Sequence, residues 1–97
     1  MKEKTYISIT HICNNTAIHP DFIQSLVDFG LIQYVQEDPV QNIHTEELPA
    51  IERYARLYYD LDINMEGLEV IAHMRDKIIK MQNEMLQLER KLKRFEE

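Results

Sequence analysis

The chain has 97 residues, of which 11 are Lys or Arg and 17 are Asp or Glu, so its formal net charge is −6 at pH 7. This length indicates one domain and argues against a large enclosed active site. Hydrophobic residues make up 44% and charged residues 29%, with 2 Gly and 3 Pro, which is typical of a folded soluble protein rather than a disordered chain. The single cysteine, Cys13, excludes an internal disulfide. No segment resembles a signal peptide or a membrane span, so we expect a cytoplasmic protein without a membrane partner.

The charge is distributed unevenly along the chain. Between Thr5 and Glu52 there is no Lys or Arg, and seven carboxylates give this stretch a charge of −7. Residues 53–97 contain nine basic and nine acidic residues and are neutral overall. The acidic front half is either ordinary solvated surface or a face for a basic partner.

Two short helices are predicted first. Ser8 is a good N-cap for a helix that ends near residue 15. Pro20 is placed to begin a second helix, and Gly30 to end it in the left-handed conformation. In the first helix, Ile9, Ile12 and Cys13 have helical spacing and would face the core. The second helix has an apolar stripe at helical spacing, which consists of Phe22, Ile23, Leu26, Val27 and Phe29.

A small hairpin and a third helix follow. Residues 31–36 are rich in strand formers, residues 37–39 form a turn, and residues 40–44 make a returning strand, which together give a "wing". The third helix begins between Thr45 and Pro49. Its predicted inner face consists of Ile51, Tyr54, Ala55, Tyr58 and Leu61.

The last helix begins after the N-cap residue Asn64 and continues to the C-terminus. Its first part is expected to pack on its own domain through Leu68, Ile71, Ala72 and Ile79. Apolar residues recur along it at alternating spacings of three and four, as in a coiled coil: Ile71, Met74, Ile78, Met81, Met85, Leu88, Leu92 and Phe95. We expect the last six of these, Ile78, Met81, Met85, Leu88, Leu92 and Phe95, to pair with a second chain in a homodimer.

The orientation of this dimer stays open at the level of sequence. In a parallel pair, the flanking contacts would be neutral, repulsive and attractive in turn: Lys77 with Gln82, Glu84 with Glu89 and Lys91 with Glu96. These contacts do not specify a parallel arrangement, and an antiparallel arrangement fits at least as well.

The chain contains residue types that can bind metals or act as nucleophiles, but they do not have the spacing that metal sites and catalytic sites require. The candidate zinc ligands His11, Cys13, His19 and His44 form no CxxC or HxxxH pair. Cys13 lies in an acidic segment, which disfavours a thiolate nucleophile, and is better explained as a small core residue. The sequence contains no phosphate-binding glycine loop and no Ser/His/Asp spacing. We therefore expect no catalytic residues, no metal and no cofactor, and a protein that is not an enzyme.

The order of elements is that of a bacterial transcription regulator: helix–turn–helix, wing and long dimerisation helix. The charge argues against nucleic acid as a partner, because affinity for DNA depends largely on Lys and Arg at the phosphates. The predicted recognition helix offers only acidic and polar side chains: Asp21, Gln24, Ser25 and Asp28. Arg53 and Arg56 on the next helix do not offset a segment with a charge of −7.

Several segments in a fixed order resemble one family over nearly the whole chain. They are residues 6–13 (YISITHIC), 16–18 (TAI), 26–32 (LVDFGLI), 53–57 (RYARL), 61–64 (LDIN), 66–71 (EGLEVI) and 88–95 (LERKLKRF). The hairpin is the least matched part. In these segments the chain resembles the CbpM family of chaperone modulators, whose fold is similar to the MerR helix–turn–helix. The resemblance implies an all-α, MerR-like winged helix–turn–helix with a small β-hairpin wing and a long coiled-coil-like C-terminal helix. Residues 1–63 would form the acidic module and residues 64–97 the long helix.

The resemblance also implies a function. CbpM proteins bind the J-domain of a DnaJ-like co-chaperone of the CbpA type and prevent it from stimulating a DnaK-type chaperone. The J-domain presents a basic helix, which an acidic module would cover, and this agrees with the charge pattern. We expect the contact residues on the second helix and the wing to be Asp21, Gln24, Asp28, Glu37 and Asp38. The alternatives are a MerR-like DNA-binding regulator and a dimeric adaptor for another basic protein.

Overall fold

The computed structural model describes residues 5–37 and 40–96, and at residues 36, 37 and 40 it describes the backbone alone. This part of the chain is mostly helical and contains a small antiparallel sheet. In chain order it consists of β1 (Tyr6–Ser8), α1 (Ile9–Asn15), α2 (Pro20–Asp28), β2 (Tyr34–Glu37), β3 (Val40–His44), a 3₁₀ turn (Thr45–Glu47), α3 (Leu48–Ala55), a π-helical segment (Arg56–Asp60) and α4 (Met65–Glu96). Among the described helices, none is both long and apolar enough to cross a membrane.

The first two helices begin and end at the predicted capping residues. The Ser8 hydroxyl accepts a hydrogen bond from the His11 N–H at 3.1 Å and so caps α1. Pro20 is the first residue of α2, where its missing N–H costs nothing. At the other end of α2, Gly30 adopts a φ of 72°, and Leu31 N–H donates to the Leu26 carbonyl at 2.8 Å. This is the glycine-terminated helix end that the sequence predicted.

The sheet has one strand more than the predicted hairpin. Its order is β1-β3-β2, with Ile7 opposite Ile43 in one pair and Tyr34 opposite Ile43 in the other. The hairpin is confirmed, but β2 begins at Tyr34 rather than at Leu31. The reason is that residues after Gly30 first turn inward, which leaves Ile32 in the core at 3% exposure. The predicted turn at residues 38 and 39 lies outside the described residues.

The predicted inner face of the third helix is correct only up to Ala55. Ile51, Tyr54 and Ala55 are buried, whereas Tyr58 is 37% and Leu61 63% exposed. Residues 56–60 form a π-helical turn, in which hydrogen bonds span five residues and each residue advances by a smaller angle than in an α-helix. Extrapolating the α-helical period past Ala55 therefore misplaces both side chains, and Leu57 packs against the core instead.

The long helix joins the core at its first turns. The Asn64 side chain accepts from Gly67 N–H at 2.8 Å, which confirms the N-cap. Leu68 is fully buried and Ala72 packs against the core, as predicted, while Ile71 is half-buried. Ile79 is 41% exposed, so the prediction that it packs on its own domain is wrong: it lines an open groove beside α3 and does not enter the core. The fully buried core side chains come from α2, β3, α3 and α4: Ile23, Leu26, Ile43, Ile51 and Leu68.

Candidate interaction surfaces

Three of the predicted partner-binding residues lie on one side of α2, a surface that we call the acidic face. Asp21, Gln24 and Asp28 are spaced by three and four residues, which brings them together on a helix. The Asp21 side chain is 93% exposed, and Asp28 is also exposed. Gln24 Nε2 donates a hydrogen bond to Asp28 Oδ1 at 2.9 Å and holds that carboxylate in place. Of the two remaining predicted residues, Asp38 and the side chain of Glu37 lie outside the described residues.

The electrostatics of the acidic face are set by the sequence around it. Residues 5–52 include no Lys or Arg, so the two α2 carboxylates, Asp21 and Asp28, have no Lys or Arg from this stretch to neutralise them, and in the described structure only His19 Nδ1 lies near Asp21, at 3.6 Å. Along the chain, the nearest Lys or Arg on either side of α2 are Lys4 and Arg53. Such a surface attracts a basic partner and repels phosphates.

Beside the acidic face is an aromatic cleft, which sequence reasoning missed. Phe22 of α2 contacts Tyr58 and Tyr59 of the π-helical segment, with ring centroids 4.8 and 5.3 Å apart. The two tyrosine rings meet edge to face at 5.1 Å. These rings, together with Met65 and Asp21, line a cleft of about 270 Å³. The adjacent tyrosines were a visible signal, but their exposure depends on the π-helical turn, which the sequence did not reveal.

The aromatic cleft is held to α2 by a long-range hydrogen bond. His19 N–H donates to the Tyr59 hydroxyl at 3.1 Å, across forty positions in sequence. His19 is also the N-cap of α2, where its Nδ1 accepts from Asp21 N–H at 3.1 Å. The position of Tyr59 is thus tied to the start of the acidic face.

The predicted dimerisation residues form an apolar stripe along α4, which we call the seam. Its six side chains range from 54% exposed for Ile78 to 90% for Phe95: Ile78, Met81, Met85, Leu88, Leu92 and Phe95. A continuous exposed apolar stripe of this length is typical of a surface that another protein covers.

Where α4 leaves the module, the seam joins a groove between α3 and α4. The groove has a volume of about 510 Å³ and an apolar floor that includes Leu57, Ile71 and Ile78. Arg53 and Arg75 also line it, so its border is basic. The groove therefore combines apolar and positively charged surface, unlike the acidic face.

The cysteine and the histidines that the sequence offers as candidate zinc ligands are Cys13, His11, His19 and His44. Cys13 is half-buried against the core, and this burial raises the pKa of its thiol. Among the residues that the structure describes, no three His, Cys, Asp or Glu side chains are grouped so that they could hold a metal ion.

Residues 7–90 match the model of the MerR HTH family of regulatory proteins, so the chain belongs to this family. The match confirms the MerR-like part of the resemblance, with its helix–turn–helix. No curated protein matches the chain.

Proposed function

We propose that this member of the MerR HTH family regulates a co-chaperone rather than a promoter. In this proposal it binds the J-domain of a DnaJ-like co-chaperone of the CbpA type and thereby inhibits stimulation of a DnaK-type chaperone. The observation that carries the proposal is the acidic face on α2, the helix that a DNA-binding relative would insert into the major groove. The resemblance to CbpM proteins supports the same partner.

The acidic face is suited to a basic helix for two physical reasons. Its carboxylates are exposed, so they attract a partner at a distance without a large cost of desolvation. Complementary charge raises the association rate and discriminates against acidic surfaces. We include Glu37 and Asp38 of the wing in the proposed contact, together with Asp21, Gln24 and Asp28.

The proposal is tested by titrating the full chain against an isolated J-domain by calorimetry at low and high salt. We expect micromolar or tighter binding that weakens as salt rises. The double variant Asp21→Lys/Asp28→Lys reverses two charges on the acidic face and should weaken binding by about tenfold or more at low salt. The control Glu52→Lys/Asp76→Lys makes the same change in net charge at exposed positions of α3 and α4.

Each outcome of this experiment has a distinct meaning. If the wild type does not bind the J-domain, the proposed function is wrong. If it binds but Asp21→Lys/Asp28→Lys binds equally well, the function stands and the acidic face is not the contact. If both double variants lose affinity equally, net charge rather than this face governs binding.

The second candidate function is a DNA-binding regulator, which the family match favours. Arg53 and Arg56 would then supply phosphate contacts from the region after α2. A random-sequence duplex in the same calorimetric titration tests this candidate. Binding whose logarithm falls steeply with the logarithm of salt concentration, together with a sequence preference, would establish it.

We further propose that the protein is a homodimer in which two α4 helices pack antiparallel through the seam. One antiparallel alignment pairs all six seam residues with one another: Ile78 with Phe95, Met81 with Leu92, and Met85 with Leu88. The same alignment places Glu84 of each helix beside Lys91 of the other, and Arg75 beside Glu96, with no like charges opposed. A parallel pair would instead oppose Glu84 and Glu89.

Charge reversal at Glu84 separates the two orientations. In the antiparallel dimer, Glu84→Lys places two lysines together and weakens association, and Lys91→Glu in the same chain restores it. In a parallel dimer, Glu84→Lys would face Glu89 and strengthen association. Sedimentation equilibrium of the three chains measures the dissociation constant, and a monomer at all accessible concentrations would overturn the dimer itself.

A further inference from the structure

The aromatic cleft lies next to the acidic face but differs from it in chemistry. Its walls are the rings of Phe22, Tyr58 and Tyr59 with the thioether of Met65, and its rim carries the Asp21 carboxylate. The lining residues that the structure describes also include Ser25 and His19 but no Lys or Arg. His19 Nδ1 lies 3.6 Å from Asp21 Oδ2, and it accepts the hydrogen bond from the Asp21 N–H. An apolar wall with a single negative charge at its mouth suits a ligand that has an apolar stem and a positively charged end.

The geometry of the rings allows a cation to reach them. Phe22 is buried and forms the back of the cleft, whereas Tyr58 is 37% and Tyr59 43% exposed. The face of an aromatic ring is electron-rich and attracts a cation whose charge lies within about 6 Å of the ring centroid. Because Tyr59 is fixed by the hydrogen bond from His19, its ring is already positioned before a ligand arrives.

Among protein side chains, arginine satisfies these features best. Its three methylene groups would lie against Met65, and its planar guanidinium stacks on aromatic faces more readily than the ammonium of lysine. The Asp21 carboxylate is within the same cleft and provides an acceptor for the guanidinium. The Asp21 carboxylate would repel an anion, and a purely apolar side chain would make no electrostatic interaction with it.

We infer that the aromatic cleft binds one arginine side chain from the basic helix of the partner, between the tyrosine rings and Asp21. The inference rests on the proposed function, since it takes its partner to be a basic protein, and it names the anchor residue type that this partner supplies. The acidic face then provides long-range attraction, and the aromatic cleft provides a short-range contact that depends on the side chain.

The inference is tested without the J-domain by NMR on the full chain with ¹³C-labelled tyrosine rings. The probe is a helical peptide with a single central arginine among lysines at its ends, and the control peptide has norleucine in place of that arginine. We expect the arginine peptide to shift the ring signals of Tyr58 and Tyr59 and the control peptide to leave them nearly unchanged. Equal shifts with both peptides, or none with either, would overturn the inference.

Variants extend the test to the J-domain. Tyr58→Phe keeps the ring and should bind as the wild type does, whereas Tyr58→Leu should weaken binding by about two- to fivefold through the loss of one aromatic face. Asp21→Asn should weaken binding, and Asp76→Asn on α4 should not. If circular dichroism shows that Tyr58→Leu is misfolded, the peptide titration decides the matter, because a loss of affinity in Asp21→Asn is also expected from the acidic face alone.

The inference and the proposed function can fail separately. If the J-domain does not bind but the arginine peptide still shifts the tyrosine signals, the proposed function is wrong and the arginine site stands. If the J-domain binds while the arginine peptide shifts nothing and Tyr58→Leu binds as tightly as Tyr58→Phe, the arginine site is wrong and the function stands.

Discussion

Replacing Leu68 by alanine tests how firmly the long helix is joined to the helix–turn–helix module. Leu68 is 0% exposed and is the only residue of α4 that is buried in the described structure. Buried Leu→Ala changes cost about 2.7–5.0 kcal/mol, depending on how far the site collapses. A domain of this size has a free energy of unfolding of about 5–15 kcal/mol, so Leu68→Ala should remove a large part of it.

Leu88→Ala is the matched control, because the same chemical change is made on the same helix at a side chain that is 64% exposed. In a single chain this substitution should change the free energy of unfolding by about 0.5 kcal/mol or less. In the proposed dimer it removes a seam contact, so its cost should appear only at protein concentrations where the dimer forms. The difference in free energy of unfolding between the wild type and Leu68→Ala should be the same at both protein concentrations.

Urea denaturation followed by circular dichroism at two protein concentrations measures both effects. Tyrosine fluorescence offers a second signal, since the chain has 5 Tyr and no Trp. A loss of less than about 1 kcal/mol for Leu68→Ala would refute the reasoning, because the helix would then not depend on this contact. A concentration-independent cost for Leu88→Ala larger than that of Leu68→Ala would refute it as well.

Three further predictions concern local structure. Gly30→Ala should lower the free energy of unfolding by about 1–2 kcal/mol. The loss should come from backbone strain alone, because φ is 72° and a Cβ would meet no atom within 4 Å. Gly30→Asn should lower the free energy of unfolding by less in the same denaturation assay. Asn64→Ala should cost about 1 kcal/mol by removing the N-cap of α4, and Asn64→Asp should retain most of it. Burial raises the pKa of Cys13, so the native state keeps a proton that the unfolded chain releases, and stability should fall as the pH rises above the ordinary thiol pKa of about 8.5. Below about pH 10 the fall should disappear in Cys13→Ala, whereas at higher pH Tyr54, whose pKa burial also raises, contributes a fall in the same direction. Alkylation of Cys13 at pH 8 should be slower in the native protein than in urea.

The elements that the sequence predicted well are those determined by neighbouring residues. Ser8, Pro20, Gly30 and Asn64 act on their own backbone or on atoms up to five positions away, so these four helix ends could be predicted from a few residues. The strand β1 was missed because it has three residues and its partner β3 lies more than thirty positions later. A strand of that length has no periodicity that can be distinguished from the start of a helix.

The same difference between local and long-range contacts explains which of the candidate surfaces could be predicted. The acidic face was predictable because Asp21, Gln24 and Asp28 share one helix and one spacing. The aromatic cleft was not, because it joins Phe22 of α2 to Tyr58 and Tyr59, 36 and 37 positions later, and depends on a π-helical turn that no local sequence pattern indicated. The dimer and the J-domain contact stay predictions, since each depends on a second chain.

The length of α4 has a consequence for how strongly such a dimer would hold its partner. The helix has 32 residues, and in the proposed antiparallel alignment the two Leu68 residues are about 55 Å apart along the helix axes. The two arginine-binding clefts would therefore lie at opposite ends of a stiff rod. A partner that is itself dimeric could be held at both ends, and its second attachment would proceed at a high effective concentration. The dimer would then favour bivalent partners whose two basic helices are separated by a distance that matches the separation of the two clefts.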